Sequence, residues 1–184
     1  MDSIDLSRAE HRARRHYEWA RARRALIGFT PALIVVTCAT TFARHPAWTL
    51  AFGGAMFVLG AGLLWYGRDV RRAVLPGVAA GLVPLVFGLC AFRVGHICTG
   101  DNCMMFCVPA CTVGGLVAGL GVAAVALGRS SGLGFWIAAA GMSLLTGAMG
   151  CSCVGYWGVV GLAVGFVSGT VPGVLRRMFV RPAS

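Results

Sequence analysis

Residues 108–128 read VPACTVGGLVAGLGVAAVALG, twenty-one residues without a charge. At 1.5 Å of rise per helical residue such a run covers ~30 Å, the thickness of a bilayer's hydrocarbon core. Working outward from it, comparable apolar runs occupy 26–42, 47–66, 73–92, 131–149 and 154–175, separated by short breaks, most of which carry arginine. The expected fold is therefore all-α: a polytopic membrane protein of six transmembrane helices. The chain has 184 residues, 58% of them hydrophobic and only 12% charged, against roughly a quarter charged in soluble domains. The formal charge of +10, all of it from arginine, would on its own suggest a nucleic-acid partner. Position excludes that reading, because the arginines punctuate membrane-length segments, so the lipid bilayer is the expected partner and direct nucleic-acid binding is not expected.

Arginine counting orients the chain. With six crossings, the side holding the amino terminus collects fourteen of the sixteen arginines, and only Arg44 and Arg93 fall on the other side. The positive-inside rule then places both termini in the cytoplasm and the 43–46, 93–107 and 150–153 connections outside. Adding or removing one span would scramble this split. The first apolar run follows a charged stretch with no A-x-A cleavage signal, which predicts a retained anchor.

Three segments result: a basic cytoplasmic helix over 1–25, a six-helix bundle over 26–175 with cysteine-rich outer loops at 93–111 and 150–153, and a short basic cytoplasmic tail over 176–184. Within the head, Ser7 and Glu10 form a capping box, and Leu6, Ala9, Ala13, Tyr17 and Ala20 fall near one face, so residues 6–24 read as one helix. It could lie on the anionic inner leaflet, with Tyr17 and Trp19 at the headgroups. Alternatively it docks a soluble cytoplasmic partner, for which Arg12, Arg15, Tyr17, Trp19 and Arg23 are the candidate contacts. No other cytoplasmic segment is long enough for such a role, nor for an enzyme active site, and no catalytic residues are expected.

Inside the spans there is no Asp, Glu, Lys, Arg or His. Ion-coupled transporters generally need such a group near the midplane, so simple secondary transport is disfavoured. Gly161, Gly165, Gly169 and Gly173 recur every four residues in the last span, a stripe that lets another helix approach closely. Packing within the bundle is the first reading of this stripe and a homodimer interface the second. Pro84 is expected to kink the third span.

The eight cysteines are the most informative residues. Cys98, Cys103, Cys107 and Cys111 belong to the third connection and the start of the fourth span, and Cys151 and Cys153 to the fifth connection. Cys38 and Cys90 lie near the outer ends of spans one and three, so all eight fall on the outer half. An even number on an oxidising face fits disulfides, whose pairing the sequence leaves open. A soft metal ion is the one cofactor these residues would suit, with Met104, Met105, His45 and His96 on the same side. Redox sensing is the third option, although no C-x-x-C opens a helix. If Pro109 is the first helical residue, as proline's missing N–H favours, only Cys111 of the 103, 107, 111 series is helical.

The sequence Arg24-Ala-Leu-Ile-Gly-Phe29 entering span one, the outer Gly150-Cys-Ser-Cys153 turn, and the glycine-rich last span ending in Leu175-Arg-Arg177 give a layout that resembles the six-span bacterial membrane anti-sigma factors of the NrsF and CarR type. This chain differs in its higher cysteine count and in Val154-Gly-Tyr-Trp157, where that family has a proline-containing acidic stretch. The resemblance implies an inner-membrane signalling protein whose cytoplasmic side holds a sigma factor or similar regulator and whose periplasmic cysteines sense redox or metal state. The alternative is a membrane protein that binds or transports a soft cation such as Hg²⁺ or Cu⁺.

Overall fold

The structure is a computed structural model that describes the backbone of residues 3–42, 46–66, 68–94, 102–128, 132–152 and 155–179. Side chains are described within those ranges except at 3–10, 31, 66, 68–69, 91–94, 102–106 and 178. Arg44, His45, His96, Cys98, Cys153 and the side chains of Arg93, Cys103, Met104 and Met105 thus lie outside the described residues.

Six α-helices make up the described chain: α1 (Ser3–Phe42), α2 (Pro46–Tyr66), α3 (Arg68–Val94), α4 (Asn102–Gly128), α5 (Leu133–Cys151) and α6 (Tyr156–Phe179). Helices α2 to α6 each contain 19 to 22 residues apolar enough to cross a membrane, from Pro46–Trp65 through Tyr156–Arg177. Outward-pointing side chains such as Val58, Leu75, Ile137, Val164 and Val167 are exposed. An apolar exterior of that extent is a lipid-facing surface. Inside the helices, several hydroxyls donate to carbonyls of the preceding turn, as in Thr37 to Leu33 at 2.8 Å and Thr112 to Val108 at 2.9 Å, the local solution available where water is excluded.

Helix α1 differs from its expected form. It begins at Ser3, ahead of the expected cap at Ser7, and runs without interruption into the first apolar run. Its two arms, His11–Thr30 and Ala32–Phe42, meet at a 42° bend. Pro31 stands between the two arms, and proline has no N–H to donate within a helix, the usual cause of such a bend. From His11 to Ala20 every side chain is exposed, and the Arg14–Glu18 ion pair at 3.5 Å is the i,i+4 support this arm shows.

Two helix pairs form the centre of the bundle, and both are parallel. Along α6, Gly161 lies against Val108 and Thr112 of α4, Gly165 against Thr112, Gly169 against Leu116 and Gly173 against Ala123. Gly115 and Gly119 of α4 return the contact, meeting the backbone of Leu162 and Phe166. In the second pair, Gly77, Gly81 and Gly88 of α3 meet Ala139, Ser143 and Gly150 of α5 in constant register. Side chains this small let backbones touch, the packing that substitutes for a hydrophobic drive in lipid. The pairs join at Pro84 of α3, which is held between Gly114 of α4 and Gly147 of α5. Helix α3 runs on through Pro76 and Pro84 as one element. Helices α1 and α2 flank the α5 side, where Phe29 packs on Gly60 and Val36 on Gly53.

Candidate functional site

These contacts fix which ends of the helices lie together. Val36 of α1 and Met149 of α5 both approach Gly53 of α2, and Gly88 of α3 abuts Gly150 of α5. Cys38, Cys90, Cys107, Cys111 and Cys151, the five cysteines whose side chains are described, therefore lie toward one end of the bundle. None of the five is joined in a disulfide. The exposed arm of α1 leaves from the opposite end, beyond Phe29.

Three of the five are interior. Cys107 and Cys111 occupy successive turns of α4, and they are 2% and 0% exposed. This requires α4 to start well before Pro109, which corrects the expectation that helix begins at that proline. One i→i−4 bond to Met105 is forgone, but Pro109 itself points outward and the turn around it is held by the burial of Cys107 on the opposite face. Cys151, also 0% exposed, is the last residue of α5. Its place is set by Gly147 and Gly150, which let the end of α5 settle on Pro84, Leu162 and the backbone of Leu85. The helix then closes with the Ser152 N–H on the Ala148 carbonyl and the Ser152 hydroxyl on the Met149 carbonyl at 3.1 Å. Gly155, the one positive-φ residue among those described, turns the chain into α6; its φ of 78° is a conformation that L side chains rarely adopt.

Cys111 and Cys151 come from different helices and are packed in the same interior site. With Ala148 and Leu162 they form one buried cluster, walled by Phe52, Leu144 and Val159. Two thiols in contact and shielded by apolar groups have two chemistries open to them: oxidation to a disulfide, or two-sulfur ligation of a soft cation. Among the described residues no group of three or more His, Cys, Asp or Glu side chains could hold a metal ion. Cys38 and Cys90 are exposed on the bundle surface and take no part in the cluster.

Further toward the middle of the bundle are Met56, Met142 and Met149, all buried. The Thr146 hydroxyl lies 2.7 Å from the Met142 carbonyl and 3.1 Å from the Met56 sulfur. The buried Ser143 hydroxyl has no hydrogen-bond partner. No charged side chain is buried among the described residues.

The other expected site residues are placed as follows. Arg12, Arg15, Tyr17, Trp19 and Arg23 are all exposed along α1, the two aromatics at 68% and 73%. Gly161, Gly165, Gly169 and Gly173 are buried against α4. Sequence reasoning missed the receiving stripe on α4, the α3·α5 contact, and the grip on Pro84. The signal was present in the four-residue spacings of Gly77 with Gly81 and Gly115 with Gly119. No protein-family model, curated protein or solved structure matches the chain.

Proposed function

We propose that this chain is a multi-pass inner-membrane regulatory protein that crosses the bilayer six times with both termini in the cytoplasm. Its thiol-bearing end faces the periplasm and senses oxidant or metal, and its basic α1 arm holds a cytoplasmic regulator, in the manner of a membrane anti-sigma factor. The observation that carries this reading is polarity along the bundle axis: described thiols gather at one end, and a free-standing arginine-rich helix leaves from the other. The fourteen-to-two arginine split supports the same orientation. So does the apolar stretch Ala25–Phe42 of α1, which supplies the sixth crossing when the bent helix is counted as one span.

A second reading, capture of a soft cation, is favoured by the paired sulfurs of Cys111 and Cys151. Among the described residues it has only the buried thioethers of Met56, Met142 and Met149 to continue inward, and no buried Asp, Glu, Lys, Arg or His to exchange a proton for a cation.

The test is affinity capture from host membranes with three forms of the full-length chain: intact, deleted over residues 2–18, and carrying a charge-preserving scramble of those residues. The intact chain is expected to retain a sigma factor or another transcriptional regulator, identified by mass spectrometry, and both variants to lose it. Interfaces depend on a few aromatic and arginine side chains in place, whereas leaflet binding depends on charge alone. Capture that survives the scramble, or none by the intact chain, rejects the regulatory reading.

A further inference from the structure

We propose that Cys111 and Cys151 form a reversible disulfide, and that this bond staples the α4·α6 pair to the α3·α5 pair. The inference rests on the redox half of the reading above and names the two atoms that carry it.

Geometry selects the pairing. Cys38 and Cys90 are exposed on the outside of the bundle, away from the interior sulfurs. Cys107 and Cys111 are neighbours on one helix face, where Cβ atoms stand ~5–6 Å apart, beyond the ~3.5–4.5 Å a disulfide accepts. Cys111 and Cys151 come from different helices and share one buried cluster, so no fixed intrahelical spacing keeps their sulfurs apart.

Position gives the bond its effect. Each helix pair is interlocked internally by backbone contact through glycine, whereas α4 and α5 belong to different pairs and touch much less extensively. Between the pairs, Pro84 is held between Gly114 and Gly147, and further along Ala73, Val122, Phe135 and Phe166 share a buried cluster. A covalent link at the cysteine end adds a bond to a seam that packing alone holds elsewhere, and it fixes the end of the bundle where α5 stops. Leu162 of α6 belongs to the thiol cluster and also packs on Gly147, so the α6 end of the same junction is held as well.

The chemistry needs an oxidant small and uncharged enough to pass an apolar wall, and a hydroperoxide meets that requirement. One sulfur, as thiolate, attacks the hydroperoxide, whose O–O bond breaks to leave a sulfenic acid and an alcohol, or water from hydrogen peroxide itself. The second sulfur then attacks the sulfenic sulfur, the S–O bond breaks and hydroxide leaves as water. Two S–H bonds are lost and one S–S bond forms; the two electrons reduce the peroxide and the two protons end on its oxygens. A dithiol reductant reverses the link by exchange.

The test uses the full wild-type chain in its membranes, so no variant has to fold. Trypsin cuts at Arg129, between the two cysteines. After treatment with hydrogen peroxide, blocking of remaining thiols and digestion, peptides 94–129 and 130–176 are expected to be linked, with fragmentation placing the bond at Cys111 and Cys151 and the block on Cys98, Cys103, Cys107 and Cys153; the link should disappear with dithiothreitol. Oxidised glutathione, too large to reach sulfurs that are fully buried, should give far less of it. Full alkylation of both cysteines after peroxide, or their linkage to other cysteines, overturns the proposal. The capture experiment above uses no oxidant, so either result stands when the other fails.

Discussion

Gly165 sits with its α-carbon against the carbonyl of Thr112, and a β-carbon there would collide with that oxygen. Backbone cannot swing aside as a flexible side chain can, so Gly165→Leu must push α6 off α4. Overpacking of this kind costs about 1–3 kcal/mol, and thermal unfolding in detergent should show a clear fall in midpoint. Gly121 has open space around it, so Gly121→Leu should leave the midpoint unchanged or raise it, since glycine is the poorer helix former by ~1 kcal/mol. Equal losses in the two variants would mean that the α4·α6 contact is not backbone-tight. The stripe from Gly161 to Gly173 was legible in the sequence because it repeats every four residues. The identity of its mate was not, since periodicity reports which face is small and never which helix will meet it. For the same reason the sequence gathered the cysteines on one side but could not distinguish the contacting pair Cys111 and Cys151 from the exposed Cys38 and Cys90.

At the scale of a helix, hydropathy locates five membrane-length elements to within a few residues; the departures are the start of α1 at Ser3, with its unbroken run into the first apolar segment, and the behaviour of two prolines. Pro109 reads as a helix start because it lacks an N–H, yet α4 begins at Asn102 and Cys107 is buried in its second turn. Pro31 lies within an apolar run whose hydropathy carries no sign of a break, and the 42° bend of α1 falls there. The proline account of that bend predicts that Pro31→Ala straightens the helix. For spin labels at His11 and Phe42 on a cysteine-free background, the separation should lengthen by about 3 Å, from 1.5 Å of rise per residue in each arm. An unchanged distance would assign the bend to the packing of Phe29 and Val36 on α2 and not to the missing hydrogen bond.

For the molecule as a whole, the orientation can be read from opposite ends. Tyr156 opens α6 at the thiol end and Tyr17 lies on the free arm of α1, and both are exposed. With each replaced by cysteine on a cysteine-free background, a membrane-impermeant maleimide should label Tyr156→Cys in intact cells and Tyr17→Cys only after permeabilisation. Labelling of Tyr17→Cys from outside would reverse or break the six-crossing arrangement. The class of fold could be read from composition and run length alone, because a bilayer imposes its thickness on any chain that crosses it. The arrangement of helices could not, because which small faces meet depends on contacts between segments distant in sequence.

The two tight pairs join helices that are not consecutive: α3 with α5, and α4 with α6. A ribosome delivers these segments in order, so α4 reaches the membrane before the helix it fits has been made. Its row of Gly115 and Gly119 must wait in lipid, with no matching backbone to receive it, until the final segment arrives. Assembly therefore cannot be completed piecemeal from the amino end, and a chain cut short before Tyr156 would be left with an open half-interface of the kind that quality-control proteases survey.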